Sequence, residues 1–143
     1  MKLPELLADF EGADPEESLE MLIDYSDKLP PLSAARANTI KAGPGEPAQE
    51  CRIQECQTTV YLWVDVQDGR VQLEALVPEK SPTVRGFVAL LVEGISGASP
   101  AEVAALPDDF LPLLGLSATL GMTRQRGFRG IISRIKREVA QAA

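Results

Sequence analysis

The residues of this sequence whose chemistry stands out are two cysteines, Cys51 and Cys56, in a chain of 143 residues that contains no histidine. A cysteine acts as a nucleophile through its thiolate, and an ordinary thiol with a pKa of about 8.5 is mostly protonated at neutral pH. Two cysteines alone cannot complete a four-ligand zinc site, and they are a poor ligand set for an iron–sulfur cluster. The pattern leaves two roles open for Cys56, a thiol used in chemistry and a small buried hydrophobic side chain.

Several functional classes are excluded by the same sequence. Without histidine there is no serine–histidine–aspartate triad, and no glycine-rich loop precedes a Lys-Ser or Lys-Thr pair that would bind phosphates. The longest apolar stretch, Phe87–Val92, is far too short to span a bilayer. The first residues, Met1–Asp14, contain five charged side chains and no apolar run typical of a signal peptide. We therefore expect a soluble cytoplasmic protein that binds no membrane.

Charge is distributed unevenly along the chain. The net charge is −7, from 14 basic and 21 acidic residues. The last 20 residues carry a net charge of +5, which leaves −12 on the rest of the chain. An acidic body argues against binding of nucleic acid. The basic segment is expected to form the solvated face of a final helix, or to meet acidic groups of the body or of a partner.

Length and composition predict a single domain over residues 1–143. A chain of this length with 45% hydrophobic residues can bury one sizeable core, but not two cores of ordinary size. Capping residues, prolines and apolar spacing predict helices in six segments, which are Leu3–Phe10, Pro15–Lys28, Ser81 to a stop at Gly97, Ser99 to a stop at Pro107, Asp108–Leu114 and Met122–Gln141.

The spacing within these helices predicts which faces are buried. Leu19, Leu22 and Ile23 are expected to form the apolar stripe of the second helix. The last helix has an apolar face made by Phe128, Ile131, Ile132, Ile135 and Val139, with arginines around it. Gly86 and Gly127 stand inside two helices, which indicates close packing of another backbone or of the loop that carries the cysteines.

A β-hairpin is predicted after Cys56. Apolar and other residues alternate over Val60–Val66 and again over Val71–Val77, and the Asp68-Gly69 pair between them is typical of a tight turn. Both faces of the first strand are apolar, so it is expected to be central and covered by helices. With a short strand near Arg52–Gln54, the fold class is α+β, a small antiparallel sheet of about three strands flanked by helices. Cys56 then lies between a long loop, Leu32–Glu50, and the sheet.

Three blocks of the sequence resemble the SufE family. The stretch Glu55–Leu62, ECQTTVYL, is similar to the family's signature, in which Cys-Gln-Ser/Thr leads into a strand. The stretch Thr83–Phe87, TVRGF, resembles the start of a family helix. The third block runs from Leu113–Ser117 through Thr123–Phe128 and resembles the family's Leu-Gly-Leu and Ser-x-x-Arg-x-x-Gly segments before a basic terminal helix. The blocks keep the order and spacing of the family over nearly the whole chain.

The resemblance implies a SufE/IscU-like fold and a role in a sulfur relay. A SufS-like cysteine desulfurase, which holds pyridoxal phosphate, would form a persulfide, and Cys56 would take its terminal sulfur. The sulfur would pass to a SufBCD-like scaffold complex for iron–sulfur cluster assembly, and the desulfurase would be stimulated. This chain would then bind no cofactor and no metal, would act as a persulfide carrier rather than a stand-alone enzyme, and would be a monomer or homodimer.

The resemblance also implies roles for residues around Cys56. Arg124 matches an arginine at the start of the family's last helix and is our candidate for stabilising the thiolate. Gln57 and Thr58 either donate hydrogen bonds near the sulfur or simply begin the strand. The sequence departs from the family at Glu55, where many members have glycine, and at Thr119, where many have histidine. Glu55 is expected to alter the sulfur-site loop, and Thr119 removes any histidine role.

A different class of function remains open, a thiol redox sensor or regulatory binding module that uses Cys51 together with Cys56. Across an extended segment, two residues five positions apart lie beyond disulfide reach unless the chain folds back. We favour Cys51 as a bystander. Replacing Cys51 with serine separates the two hypotheses, because a relay through Cys56 survives that change and a two-cysteine switch does not.

Overall fold

The structure is a computed structural model that describes residues 1–31, 60–107, 111–116 and 121–142. Its elements are α1 (Leu3–Ala8), α2 (Pro15–Asp24), a 3-10 helix (Tyr25–Lys28), β1 (Tyr61–Gln67), β2 (Arg70–Leu76), α3 (Pro82–Ile95), α4 (Pro100–Ala104), α5 (Leu111–Leu114) and α6 (Met122–Ala142). Helices therefore precede and follow an antiparallel hairpin, which confirms the α+β fold class. The loop predicted over Leu32–Glu50 and the strand predicted near Arg52–Gln54 lie outside the described residues.

Helix α2 begins where its sequence predicts. The Asp14 side chain accepts a hydrogen bond from the backbone N–H of Glu17 at 2.9 Å, and Pro15 occupies the first helical position. The face that α2 buries differs from the predicted stripe, because Ser18 and Leu22 are buried whereas Leu19 and Ile23 are only half-buried. The face that carries Ser18 and Leu22 packs against α3. Which face is buried therefore depends on the position of α3 and not only on the spacing of apolar residues within α2.

The hairpin confirms the predicted turn. Strands β1 and β2 pair in register from Tyr61 opposite Leu76 to Gln67 opposite Arg70. Asp68 and Gly69 have φ values of 53° and 74°, the left-handed conformations that a type I′ turn requires at both central positions. Such a turn matches the twist of the two strands, so the Asp-Gly pair fixes the register of the sheet.

The outer side of β2 also has hydrogen-bonding partners at its first residues. The backbone N–H of Val71 donates to the carbonyl of Ala98 at 2.8 Å, and the N–H of Gly97 donates to the carbonyl of Val71 at 2.7 Å. The Arg70 guanidinium donates to the carbonyl of Gly97 at 3.0 Å. The turn after α3 is therefore joined to the start of β2.

Helix α3 lies in the middle of the molecule. Ten of its 14 residues are buried, and they face every direction around the helix axis. A Cβ atom at Gly86 would overlap the carbonyl oxygen of Leu22, and one at Gly94 would lie 2.9 Å from the Cα of Leu3. The absence of side chains at these two glycines lets α2 and α1 approach the α3 backbone, which confirms the close packing predicted for Gly86.

Helix α6 contacts β1 and α4 and meets α3 at one aromatic pair. Its buried residues are those predicted from the spacing, namely Phe128, Ile131, Ile132, Ile135 and Val139. The rings of Phe87 and Phe128 are stacked with centroids 4.1 Å apart. Because the buried residues of α1, α2, the hairpin and α6 all join the cluster around α3, the described hydrophobic residues form one connected core.

Candidate functional site

The predicted sulfur site is centred on a part of the chain that lies outside the described residues. This holds for Cys56, for its neighbours Glu55, Gln57 and Thr58, and for Cys51 and Thr119. The roles assigned to these residues therefore stay predictions. The structure does describe the elements on either side of residues 32–59, which we call the Cys56 segment. These elements, the 3-10 helix and the hairpin, are the frame of that segment.

The segment rejoins the fold in the core of the protein. Val60 has no exposed surface, and Tyr61 and Leu62 are also buried. Tyr61 pairs with Leu76 at the end of the hairpin. Whatever its conformation, a chain of four residues reaches at most about 14 Å, so the Cα of Cys56 cannot lie farther than that from the Cα of Val60. Covalent connection alone therefore keeps Cys56 within that distance of the buried end of the hairpin.

Arg85 of α3 joins the two places where this segment leaves and re-enters the fold. Its Nε donates to the carbonyl of Ser26 at 2.9 Å, in the 3-10 helix that precedes the segment. Its Nη1 donates to the carbonyl of Val77 at 2.7 Å, directly after the residue that pairs with Tyr61. The guanidinium geometry allows both bonds from one side chain, which a single ammonium group cannot reproduce in the same way.

The role of Arg85 was missed by the sequence analysis, which quoted it only as part of a family-like block. The sequence signal was present: Arg85 and Glu93 are the only charged residues in the otherwise apolar helix α3. A lone arginine in such a helix needs acceptors, because burying an uncompensated polar group is costly. Which acceptors it finds depends on the packing of distant elements, and no local pattern gives that.

The 3-10 helix is further fixed by Tyr25, the neighbour of Ser26. Its ring is buried, and the Nζ of Lys28 lies 4.6 Å from the ring centroid. Burial raises the pKa of the Tyr25 hydroxyl, and the negative charges of Glu93 and Asp9 raise it further. The hydroxyl therefore remains neutral at physiological pH.

Arg124 lies in the first turn of α6 and is exposed. It precedes Phe128 by four residues and Ile131 by seven, so the helical period places it on the side of α6 that continues the buried face. The structure thus leaves the arginine head accessible at the inner edge of the helix. Its predicted pairing with Cys56 stays a prediction, since Cys56 lies outside the described residues. Gly127, three residues on, is buried.

The described residues show no alternative metal centre or membrane segment. Within residues 1–31, 60–107, 111–116 and 121–142, no three side chains of the kinds that ligate metals come together. In the same ranges, no helix combines the length and the hydropathy needed to cross a bilayer.

Comparison with known proteins relates the chain to one family. The model of the SufE Fe-S metabolism associated domain matches residues 4–139. An uncharacterized SufE-like protein of Mycobacterium tuberculosis is 33% identical over 141 residues, which are 98% of this chain and 92% of that protein. The cysteine desulfuration protein SufE of Plasmodium vivax is 30% identical over 90 residues, covering 62% of this chain and 37% of that protein.

A solved structure is also similar over almost the whole chain. The solution structure of a hypothetical protein from Thermus thermophilus superposes with a TM-score of 0.77 and is 33% identical in sequence. The match covers 99% of this chain and 95% of that one. Sequence and structure comparisons therefore extend across all the elements that frame the Cys56 segment.

Proposed function

Because the chain belongs to the SufE family, we propose that it accepts sulfur from a cysteine desulfurase on Cys56 and passes that sulfur to iron–sulfur cluster assembly. The observation that supports this most directly is the family match over residues 4–139, which includes the signature-like stretch Glu55–Leu62. The described frame supports it further, since Arg85 holds the elements on both sides of that stretch.

The transfer is a thiol exchange in which no external oxidant or reductant takes part. The thiolate of Cys56 attacks the terminal sulfur of a persulfide on the desulfurase. A new sulfur–sulfur bond forms at Cys56, and the bond between the two sulfurs of the donor breaks. The donor cysteine leaves as a thiolate and takes up the proton that Cys56 released. Removing the sulfur frees the donor for another turnover, which is why the acceptor would stimulate the desulfurase.

Thiolate formation is the step that this chain must assist. With no histidine in the sequence, an arginine is the cation best suited to favour the thiolate. Arg124 is the proposed residue, because it is exposed at the inner edge of α6 and matches the family's arginine at this position. Gln57 and Thr58 are proposed to flank the reacting sulfur. Pyridoxal phosphate belongs to the desulfurase in this proposal, and the reaction takes place in the reducing cytoplasm.

The test is sulfur loading of the reduced protein by an active cysteine desulfurase supplied with pyridoxal phosphate and cysteine. We expect the intact mass to rise by one sulfur atom, the modified peptide to contain Cys56, and dithiothreitol to remove the addition. Cys56→Ser should abolish the modification, and Cys51→Ser should leave it unchanged. An unmodified Cys56 beside an active desulfurase from the same genome would refute the relay. Loss of loading in Cys51→Ser would favour the two-cysteine switch.

A further inference from the structure

The outer side of α6 presents a row of arginines, which we call the arginine face and define as Arg126, Arg129 and Arg137. All three are exposed, on the side of the helix away from the buried row that begins at Phe128. Arg126 and Arg137 are 11 residues apart, which at a rise of about 1.5 Å per residue is about 16 Å along the helix. The face thus spans about three turns, with Arg126 and Arg137 nearly in line along the helix and Arg129 offset from them by about 60–80° around its axis.

Two other basic residues of α6 have partners within the protein. Arg134 forms an ion pair with Glu138, with Nε and Oε1 2.7 Å apart. Lys136 donates to the carbonyl of Leu106 at 2.8 Å and so ties α6 to the end of α4. In the part of the chain that the structure describes, no carboxylate forms an ion pair with a residue of the arginine face. Apart from Arg124 at the inner edge of the helix, the positive charge of α6 that remains available for another molecule therefore lies on this face.

The chemistry of the face favours a protein surface over a polyanion. Proteins that bind DNA tightly through phosphates neutralise roughly 6–10 of them, and three arginines neutralise about three. Stable binding of an anionic membrane by charge takes clusters of about 4–8 basic residues. The rest of the chain, which carries −12, would also repel an extended polyanion. A compact acidic patch some 16 Å long fits the arginine face without meeting that repulsion.

We propose that the arginine face is a docking surface for an acidic patch on the desulfurase that donates the sulfur. This inference rests on the proposed function. It adds the surface on which the donor desulfurase is recognised and the type of interaction, which is electrostatic. The arginine face begins two residues after Arg124, the residue proposed to assist Cys56, and lies on the opposite side of the same helix, so a donor docked along α6 would be held at a fixed orientation to that residue. Exposed charges of this kind mainly raise the rate of association and its dependence on salt, and they change the chemical step little.

The experiment compares two variants that differ in position and share the same change in charge. Arg126→Glu, Arg129→Glu and Arg137→Glu together lower the net charge from −7 to −13. The lysine control combines Lys2→Glu and Lys80→Glu with Ala8→Glu and Ala101→Glu, which make the same change at four exposed positions outside α6. A third variant, with glutamine at the three arginine positions, removes the charge without placing new acids next to Glu138. Circular dichroism and thermal unfolding confirm that each variant is folded.

The measured quantity is the rate of sulfur transfer from preloaded desulfurase to Cys56 in a single turnover. At low salt and low donor concentration, we expect the glutamate variant of the arginine face to be slower than wild type by about tenfold or more. The glutamine variant should be slowed less, and the lysine control by less than about threefold. At saturating donor the transfer rates should converge, and in about 0.5 M salt the difference in association should disappear because the charges are screened.

The outcomes separate this inference from the proposed function. If wild type loads Cys56 but the arginine variants behave like the lysine control, the docking surface is wrong and the relay stands. If wild type does not load Cys56 even at saturating donor, the relay fails and the docking proposal fails with it. If the arginine variants lose binding to a labelled oligonucleotide or to anionic vesicles while sulfur transfer is unchanged, the face serves that ligand and the proposal is overturned.

Discussion

Helices α3 and α6 touch through the stacked rings of Phe87 and Phe128, yet they relate to solvent in opposite ways. Helix α3 is buried on all sides, and its Arg85 is held by two backbone carbonyls. Helix α6 buries one face and directs several arginines to the outside. One helix therefore organises the fold and the frame of the Cys56 segment, while the other combines a packing face with an exposed, positively charged face.

The largest effect is expected where the two helices meet. Truncating Phe128 to alanine should destabilise the protein by about 3–5 kcal/mol, because a fully buried aromatic ring is removed and a cavity remains. Phe87→Ala should cost a similar amount. Denaturant unfolding of both single variants and the double variant gives the coupling between them, expected to be about 1 kcal/mol for a stacked pair. If the loss in the double variant equals the sum of the two single losses within about 0.3 kcal/mol, the stacking itself contributes little.

A smaller loss of stability is expected when Gly86 in α3 is replaced. Alanine improves helix propensity by about 1 kcal/mol, but its Cβ would overlap the carbonyl oxygen of Leu22, so we expect a net loss of about 2–3 kcal/mol. Ser133→Ala, at an exposed position of α6, is the matched control and should stabilise by a few tenths of a kcal/mol. Chemical denaturation measures both, and a stable Gly86→Ala protein would contradict the close contact of α2 with α3.

Replacing Arg85 tests the frame more selectively. Arg85→Met keeps an unbranched side chain but leaves the carbonyls of Ser26 and Val77 without this donor, at an expected cost of about 1–3 kcal/mol. Arg85→Lys should recover only part of that loss, because an ammonium group lacks the fork of donors.

The positioning role of Arg85 predicts a second readout. At a temperature where both Arg85 variants are folded, we expect sulfur loading of Cys56 to be slower in Arg85→Met than in wild type, with Arg85→Lys between them. A variant of equal stability loss elsewhere, such as Val139→Ala in α6, supplies the comparison. If Arg85→Met and Val139→Ala load sulfur onto Cys56 at the same rate, Arg85 is a structural residue only.

The smallest effect on stability is expected on the outside of α6. Arg129→Ala removes an exposed charge and should change the free energy of unfolding by no more than about 0.5 kcal/mol. Thermal unfolding is the measurement, with Arg134→Ala as the comparison because it breaks the ion pair with Glu138. A loss of more than about 1 kcal/mol in Arg129→Ala would mean that this side chain supports the fold rather than an outer surface.

Local signals made much of the fold predictable. The Asp14 cap, the Asp68-Gly69 turn and the apolar face around Phe128 act within a few residues of themselves, so the sequence indicated each of them. The buried face of α2 was only partly predicted. Ser18 is polar, but the structure buries it completely, and its hydroxyl has no hydrogen-bonding partner among the described residues. A hydropathy pattern assigns such a residue to the outside.

The candidate site was less accessible to sequence reasoning than the fold. Residue type and family resemblance point to Cys56 and Arg124. The distance between these two residues depends on the tertiary structure, and neither residue type nor resemblance gives it. The two acceptors of Arg85 come from positions 59 residues before it and 8 residues before it in the chain. A contact between segments so far apart depends on how α3 packs against the 3-10 helix and the hairpin, which is decided by the whole core.

The hydrogen bonds between Val71 and the turn after α3 have a consequence for how the protein behaves at high concentration. An exposed strand edge is a template on which strands of other molecules can add, and this is a common route to aggregation. Here the outward N–H of Val71 is occupied by Ala98, and its carbonyl by Gly97. A strand from another molecule would have to displace the protein's own turn at the first residues of β2, so edge-to-edge growth of the sheet is opposed there from within the chain.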